Sequence, residues 1–105
     1  MPLHASYIGK EGRLELRIDG NLDISVTQGI CDVCRRASPR LTTCIVDLSG
    51  VDRVFDSGIA LLQMLHRRLS ALGTIVVFLT DDPRICGLIP ICRSPAVEPT
   101  ASASP

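Results

Sequence analysis

Tryptophan is absent, and one Tyr and two Phe are the only aromatics in 105 residues, so any core must be aliphatic. Net charge is lacking too. Eleven Lys and Arg balance eleven Asp and Glu, which leaves no long-range field to draw the chain to nucleic acid or to an anionic membrane. Ten of the eleven bases are Arg, but they are scattered rather than striped, a further argument against a nucleic-acid surface. No run approaches the roughly 20 apolar residues of a membrane span. Met1-Pro2-Leu3-His4-Ala5 has neither the basic n-region nor the hydrophobic h-region of a signal peptide, so a cytoplasmic domain is expected. What is present is a 46% apolar chain of a length that builds one core and not two.

Five cysteines are many for this length. Cys31-Asp32-Val33-Cys34 has the CxxC spacing of redox and metal sites. A redox motif opens a helix after a strand, where the helix dipole lowers the thiol pKa; this pair lies deep inside an amphipathic helical pattern. A zinc site needs two further close ligands, and only scattered candidates exist. Buried, reduced thiols are the expectation, with no metal and no cofactor, and the odd count argues against a disulfide framework.

Ser6-Tyr7-Ile8 and the strictly alternating Arg13-Leu14-Glu15-Leu16-Arg17-Ile18 flank Gly9-Lys10-Glu11-Gly12, which predicts a β-hairpin with one wet face. Asp19-Gly20-Asn21 reads as the break that ends the strand. Asp23 or Ser25 can cap a helix running to about Arg36 or Ala37, with Val26, Ile30, Val33, Cys34 and Ala37 on its inner stripe. Thr43–Asp47 reads as a buried strand, and Asp47 to Gly58 as the loop that follows it. The strongest helix spans Ser57 to Leu72, with Leu61, Leu62, Leu65, Leu69 and Leu72 inward, Gln63, His66, Arg67 and Ser70 outward, and Gly73 as its stop. Thr74–Thr80 is a second buried strand, and Asp81-Asp82-Pro83 turns it toward a short helix. From Arg93 the chain is Pro, Ala and Ser with little to bury, so residues 1–92 are expected to form the domain and 93–105 a disordered tail. Strands alternating with helices demand an α/β fold: a mixed sheet of about four strands with parallel crossovers and helices mainly on one face.

The turn at Asp47, Ser49, Asp52, Asp56 and Ser57 is rich in oxygen, yet no His, Lys or Tyr completes a catalytic set. His66 lies about ten residues, some 15 Å, along the helix from Asp56. The Lys and glycine spacing of a phosphate-binding P-loop are missing. The expectation is not an enzyme. On its own terms Asp56 is an N-cap, and Ser57 and Gly58 ease the turn.

The run Ile45-Val46-Asp47-Leu48-Ser49-Gly50-Val51, followed by Asp56-Ser57-Gly58-Ile59-Ala60-Leu61-Leu62, resembles the STAS domain, the family of bacterial anti-sigma factor antagonists and of the cytoplasmic domains of sulfate transporters. Gly20-Asn21-Leu22-Asp23 resembles the family's element before its first helix, and the similarity covers about residues 6–92. The resemblance implies the STAS fold and a protein-binding regulatory role. It implies an anti-sigma factor or serine kinase as partner, and phosphorylation at the start of the second helix. The family loop reads Asp-Ser-Ser/Thr-Gly. Aligned without gaps, Phe55 takes the Asp position, Asp56 the phosphoacceptor position and Ser57 the second hydroxyl. Shifted by one, Ser57 is the acceptor. A fixed Asp56 charge imitates phosphoserine with about one charge in place of nearly two. The family's closing strand is absent or reduced to Pro95-Ala96-Val97.

The resemblance further implies that partner binding uses Phe55, Asp56, Ser57 and Gly58 together with Gln63, His66 and Arg67 on the following helix. The alternative is a constitutive subunit of a lipid-asymmetry ABC transporter, whose partner is the transporter ATPase. A third class is a small-ligand sensor, for which no pocket signature is visible in the sequence.

Overall fold

The computed structural model describes residues 3–8, 12–90 and 92–94. Strands β1 (Leu3–Ile8) and β2 (Arg13–Leu22) pair antiparallel, as the alternating pattern predicts. Leu14, Leu16 and Ile18 are fully buried on one face, while Arg13 and Glu15 pair at 2.7 Å on the other. A short 3-10 turn (Ile24–Val26) leads into α1 (Thr27–Arg36), and Asp23 caps it by accepting from the Ser25 N–H. Then follow β3 (Thr43–Val54), α2 (Asp56–Ala71), β4 (Ile75–Leu79), a one-turn α3 (Pro83–Cys86) and the two-residue β5 (Cys92–Arg93).

The five strands lie in sequence order, β1-β2-β3-β4-β5, with every pair after the first parallel. Parallel crossovers that all step in one direction and share one hand stack their helices on one face. The core forms there, between Leu14, Leu16, Ile18, Cys44, Val46, Leu48, Val76 and Phe78 of the sheet and Ile30, Val33, Ile59, Leu62, Leu65 and Leu69 of the helices. Among the described residues the opposite face buries a small apolar cluster of Ile45, Val77 and Leu79. Beside it Arg17 bridges Asp19 at 3.0 Å and Asp47 at 3.3 Å.

Several sequence expectations need correction. β2 does not break at Asp19-Gly20-Asn21 but continues to Leu22, and β3 ends at Val54, not Asp47. The two continuations pair with each other, Asp19 with Gly50 and Leu22 with Val54. Each of two irregularities places one extra residue on β3, and such bulges bend a strand without ending it. Turn-forming chemistry is present but satisfied inside the strand: Asp47 Oδ1 accepts from the Ser49 N–H at 2.9 Å and from its hydroxyl at 2.7 Å. Gly20 adopts φ 77°, which only glycine takes without strain.

The strand count is five rather than about four, because closure falls at Cys92–Arg93, where Phe78 pairs with Cys92 and the Thr80 N–H donates to the Arg93 carbonyl. β5 therefore straddles the expected boundary between residues 92 and 93. Pro95-Ala96-Val97 and the remainder of the tail lie outside the described residues. Helix α2 begins at Asp56 and leaves Leu72 as an exposed C-cap, so Leu72 is not on the inner face.

Candidate functional site at the start of the second long helix

Only Phe55 separates β3 from α2, so the expected loop from Asp47 to Gly58 shrinks to a single connecting residue. Phe55 is extended (φ −121°, ψ 152°) and occupies the N-cap position with no side-chain cap. Asp56 is thus the first helical residue and not the N-cap, because the strand delivers the chain one residue earlier than the composition suggests. The Phe55 N–H donates to the Leu22 carbonyl at 3.0 Å, and the Ile59 N–H to the Phe55 carbonyl at 3.1 Å. The first-turn N–H groups of Asp56, Ser57 and Gly58 precede the first intrahelical acceptor, and with the helix dipole they favour negative charge.

Gly58 is buried, and a Cβ built on it would run into the Leu22 carbonyl group and side chain. The glycine therefore lets the helix start seat against the end of β2. Asp56 and Ser57 are turned outward and exposed. Among the described residues the Ser57 hydroxyl engages no other group, which leaves it free for chemistry from solution.

Beside Ser57 runs an open apolar groove of about 420 Å³ between the 3-10 turn and α2, lined by Ile24, Thr27, Ser57, Leu61, Met64 and Arg67. Ile24 is 72% exposed and Phe55 43%, both large for apolar side chains on a surface. Sequence reasoning missed Ile24 and Met64, while Leu61, expected on the inner face, packs against the core and also lines the groove. The signal for Ile24 was available: an isolated apolar residue directly after a capping Asp, off the stripe of α1.

Neither a family model nor a curated relative matches the sequence. Comparison of the structure does find similar molecules. The anti-sigma factor antagonist SpoIIAA in its unphosphorylated form superimposes with a TM-score of 0.70 at 18% identity, covering 96% of this chain and 93% of that one. The Bacillus cell fate determinant SpoIIAA in its phosphorylated form gives 0.68 at 18%, covering 96% of each chain. The chain has the STAS-like fold of SpoIIAA. Mglu matches with a TM-score of 0.63 at 27% identity over 78% of this chain, which spans only 20% of Mglu.

Within that fold the predicted site residues divide. Phe55, Asp56 and Ser57 form one exposed step over Gly58, and Arg67 borders the groove two to three turns further along α2. Gln63 and His66 stand on another side of the helix. Gln63 Nε2 donates to the Leu88 carbonyl at 2.8 Å, and His66 Nε2 lies 3.3 Å from the Ser70 hydroxyl; both side chains are half-buried. Asp47 and Asp52 do not converge with Asp56: Asp47 is held by Ser49 and Arg17, and Asp52 gives its carbonyl to Arg84. Among the described residues no cluster of His, Cys, Asp or Glu is arranged to hold a metal ion.

The cysteines separate into three environments. Burial pushes the Cys44 thiol up to about 12. Cys31 and Cys34 lie half-buried on α1 against Arg35, Met64 and Arg68, and burial also raises the Cys34 thiol. Cys86 and Cys92 stand at the far edge of the sheet.

Proposed function

We propose that this chain is a non-enzymatic, protein-binding regulatory module of the anti-sigma antagonist kind. It acts through the exposed step Phe55-Asp56-Ser57 and the adjoining groove. One observation carries the reading: an unpartnered hydroxyl and a carboxylate stand at a helix N-terminus, directly beside large exposed apolar side chains. The rigid fold underneath is shared over nearly its whole length with an anti-sigma factor antagonist. Phe55 and Ile24 supply apolar anchors of the kind that dominate interfaces, and Arg67 supplies a charged rim, while Gln63 and His66, on another side of α2, stand outside this surface. The partner on this reading is an anti-sigma factor or serine kinase.

Phosphate on Ser57 would gain the free first-turn N–H groups and the positive helix end while facing the Asp56 carboxylate next to it. A switch built this way responds to the difference between those two terms. With Asp56 already in place, the unmodified surface carries part of the charge that phosphorylation brings.

Affinity capture from the cells that make the protein, with the full chain as bait and Phe55→Ala as control, tests the assignment. Recovery of an anti-sigma factor or GHKL-type serine kinase by the wild type and not by the variant is expected. Recovery of an ABC transporter ATPase in its place would move the assignment to the transporter-subunit alternative.

A further inference from the structure

Cys86 and Cys92 come from different elements, the end of α3 and strand β5, yet the fold brings both to the backbone at the end of β4. Each thiol is bonded to a backbone carbonyl. The Cys86 thiol donates to the Thr80 carbonyl at 3.5 Å, and the Cys92 thiol to the Ile89 carbonyl at 3.8 Å. The Thr80 N–H in turn donates to the carbonyl of Arg93, next in the chain to Cys92, at 2.8 Å. Thr80 thus bonds both to Cys86 and to the residue that follows Cys92. Both thiols are only half-buried, so a small oxidant reaches them. β5 itself is weakly secured, with two residues paired to β4.

We infer that Cys86 and Cys92 form a reversible dithiol–disulfide pair that, on exposure to a peroxide, staples the closing strand to α3. The step balances with hydrogen peroxide as oxidant. The Cys86 sulfur attacks one peroxide oxygen, the O–O bond breaks, and the departing hydroxide leaves as water with the Cys86 proton, giving a sulfenic acid. The Cys92 sulfur then attacks the Cys86 sulfur, the S–O bond breaks, and hydroxide leaves as water with the Cys92 proton. Two thiols and one peroxide become one disulfide and two waters, two electrons passing from sulfur to oxygen. Burial, reinforced by the neighbouring Cys86, pushes the Cys92 thiol up to about 11. Resolution by Cys92 is therefore faster as the pH rises. The pair is independent of the surface proposed to bind a partner.

The test uses the reduced full chain, titrated with hydrogen peroxide, followed by alkylation, intact mass and peptide mapping. Expected are the loss of two of the five thiols, a Cys86–Cys92 cross-linked peptide in a monomer, and reversal by a dithiol reductant. Tm should rise by about 5–10 °C, from closure of a short loop. Cys86→Ser and Cys92→Ser, checked for folding by circular dichroism, should each abolish the cross-link. A disulfide mapped to Cys31–Cys34, a cross-link between chains, or both thiols remaining alkylatable would overturn the inference. Mapping on the wild type decides the matter even where neither variant folds.

Discussion

The Leu22 carbonyl and Gly58 are in direct apposition: the end of β2 rests on the first turn of α2, with no room for a side chain between them. The same carbonyl accepts the Phe55 N–H, so one peptide group fixes both the residue before the helix and the residue on which it seats. Two segments that stand far apart in sequence, Gly20-Asn21-Leu22-Asp23 and Asp56-Ser57-Gly58, are thereby one structural unit. The exposed step at Phe55-Asp56-Ser57 is held rigid by that unit.

Substituting Gly58→Ala should therefore be costly, because the obstruction is backbone that cannot swing aside. A loss of about 2–3 kcal/mol is expected, as for overpacked sites, measured by urea unfolding of the full chain. Gly50→Ala provides the contrast. There the added Cβ meets the Asp19 carboxylate, the end of a side chain on the exposed face, which can rotate away. The expected cost is under about 1 kcal/mol, since the Arg17–Asp19 pair it disturbs is a surface ion pair. Equal effects at the two glycines would contradict the seating described for Gly58.

The groove makes a prediction about binding without stability. Ile24→Asp alters a side chain that is largely in solvent and Phe55→Ala one that is nearly half exposed, so Tm should move little for the first and by no more than a few degrees for the second. Partner affinity should fall about tenfold or more for each, as for apolar anchors. Met64→Asp, at the half-buried base of the groove, should lower both.

Cys44 predicts an alkaline limit. Its buried thiol ionises near 12 in the folded chain, against about 8.5 unfolded. Above the unfolded value the unfolded chain holds fewer protons than the folded one, so stability falls as pH rises between about 8.5 and 12. Under reducing conditions, Tm should drop more steeply over that interval in the wild type than in Cys44→Ala, although the variant starts lower from its small cavity. Parallel slopes would mean that Cys44 is not the group responsible.

Phosphorylation makes a separate prediction about the step itself. Incubation of the full chain with ATP and the serine kinase it binds should place one phosphate on Ser57, located by peptide mapping and absent from Ser57→Ala. Replacing Asp56 by Asn removes the repelling carboxylate and should raise the rate. No phosphate on Ser57 would leave Asp56 as a fixed charge in place of a switch.

Much of this architecture was legible because periodicity reports burial. The alternation at Leu14, Leu16 and Ile18 and the helical spacing of Leu62, Leu65 and Leu69 each identified the buried face. What failed was local chemistry overridden by pairing. Asp19-Gly20-Asn21 and Asp47-Leu48-Ser49-Gly50 carry the residues of turns, but the first pairs with Gly50, Val51 and Arg53 and the second begins from the Arg17–Asp47 pair, so both remain strand. That long-range pairing is invisible to a local pattern, and it moved the α2 start from Ser57 to Asp56. The short β5 was missed for a similar reason: two residues are too few to show a period. At the site, the Phe55-Asp56-Ser57 step was legible, whereas the groove needed Ile24 and Met64 to be brought together by the packing of the 3-10 turn on α2.

The most direct measurement of the proposed role is a binding titration, by calorimetry, of the full chain against the anti-sigma factor or kinase it captures. Wild type should bind, with Ile24→Asp and Phe55→Ala each weakened about tenfold or more, and with Ile75→Asp, on the opposite face of the sheet, unchanged. Equal affinity for the wild type and both site variants, or weakening by Ile75→Asp alone, would contradict an interface at the start of α2.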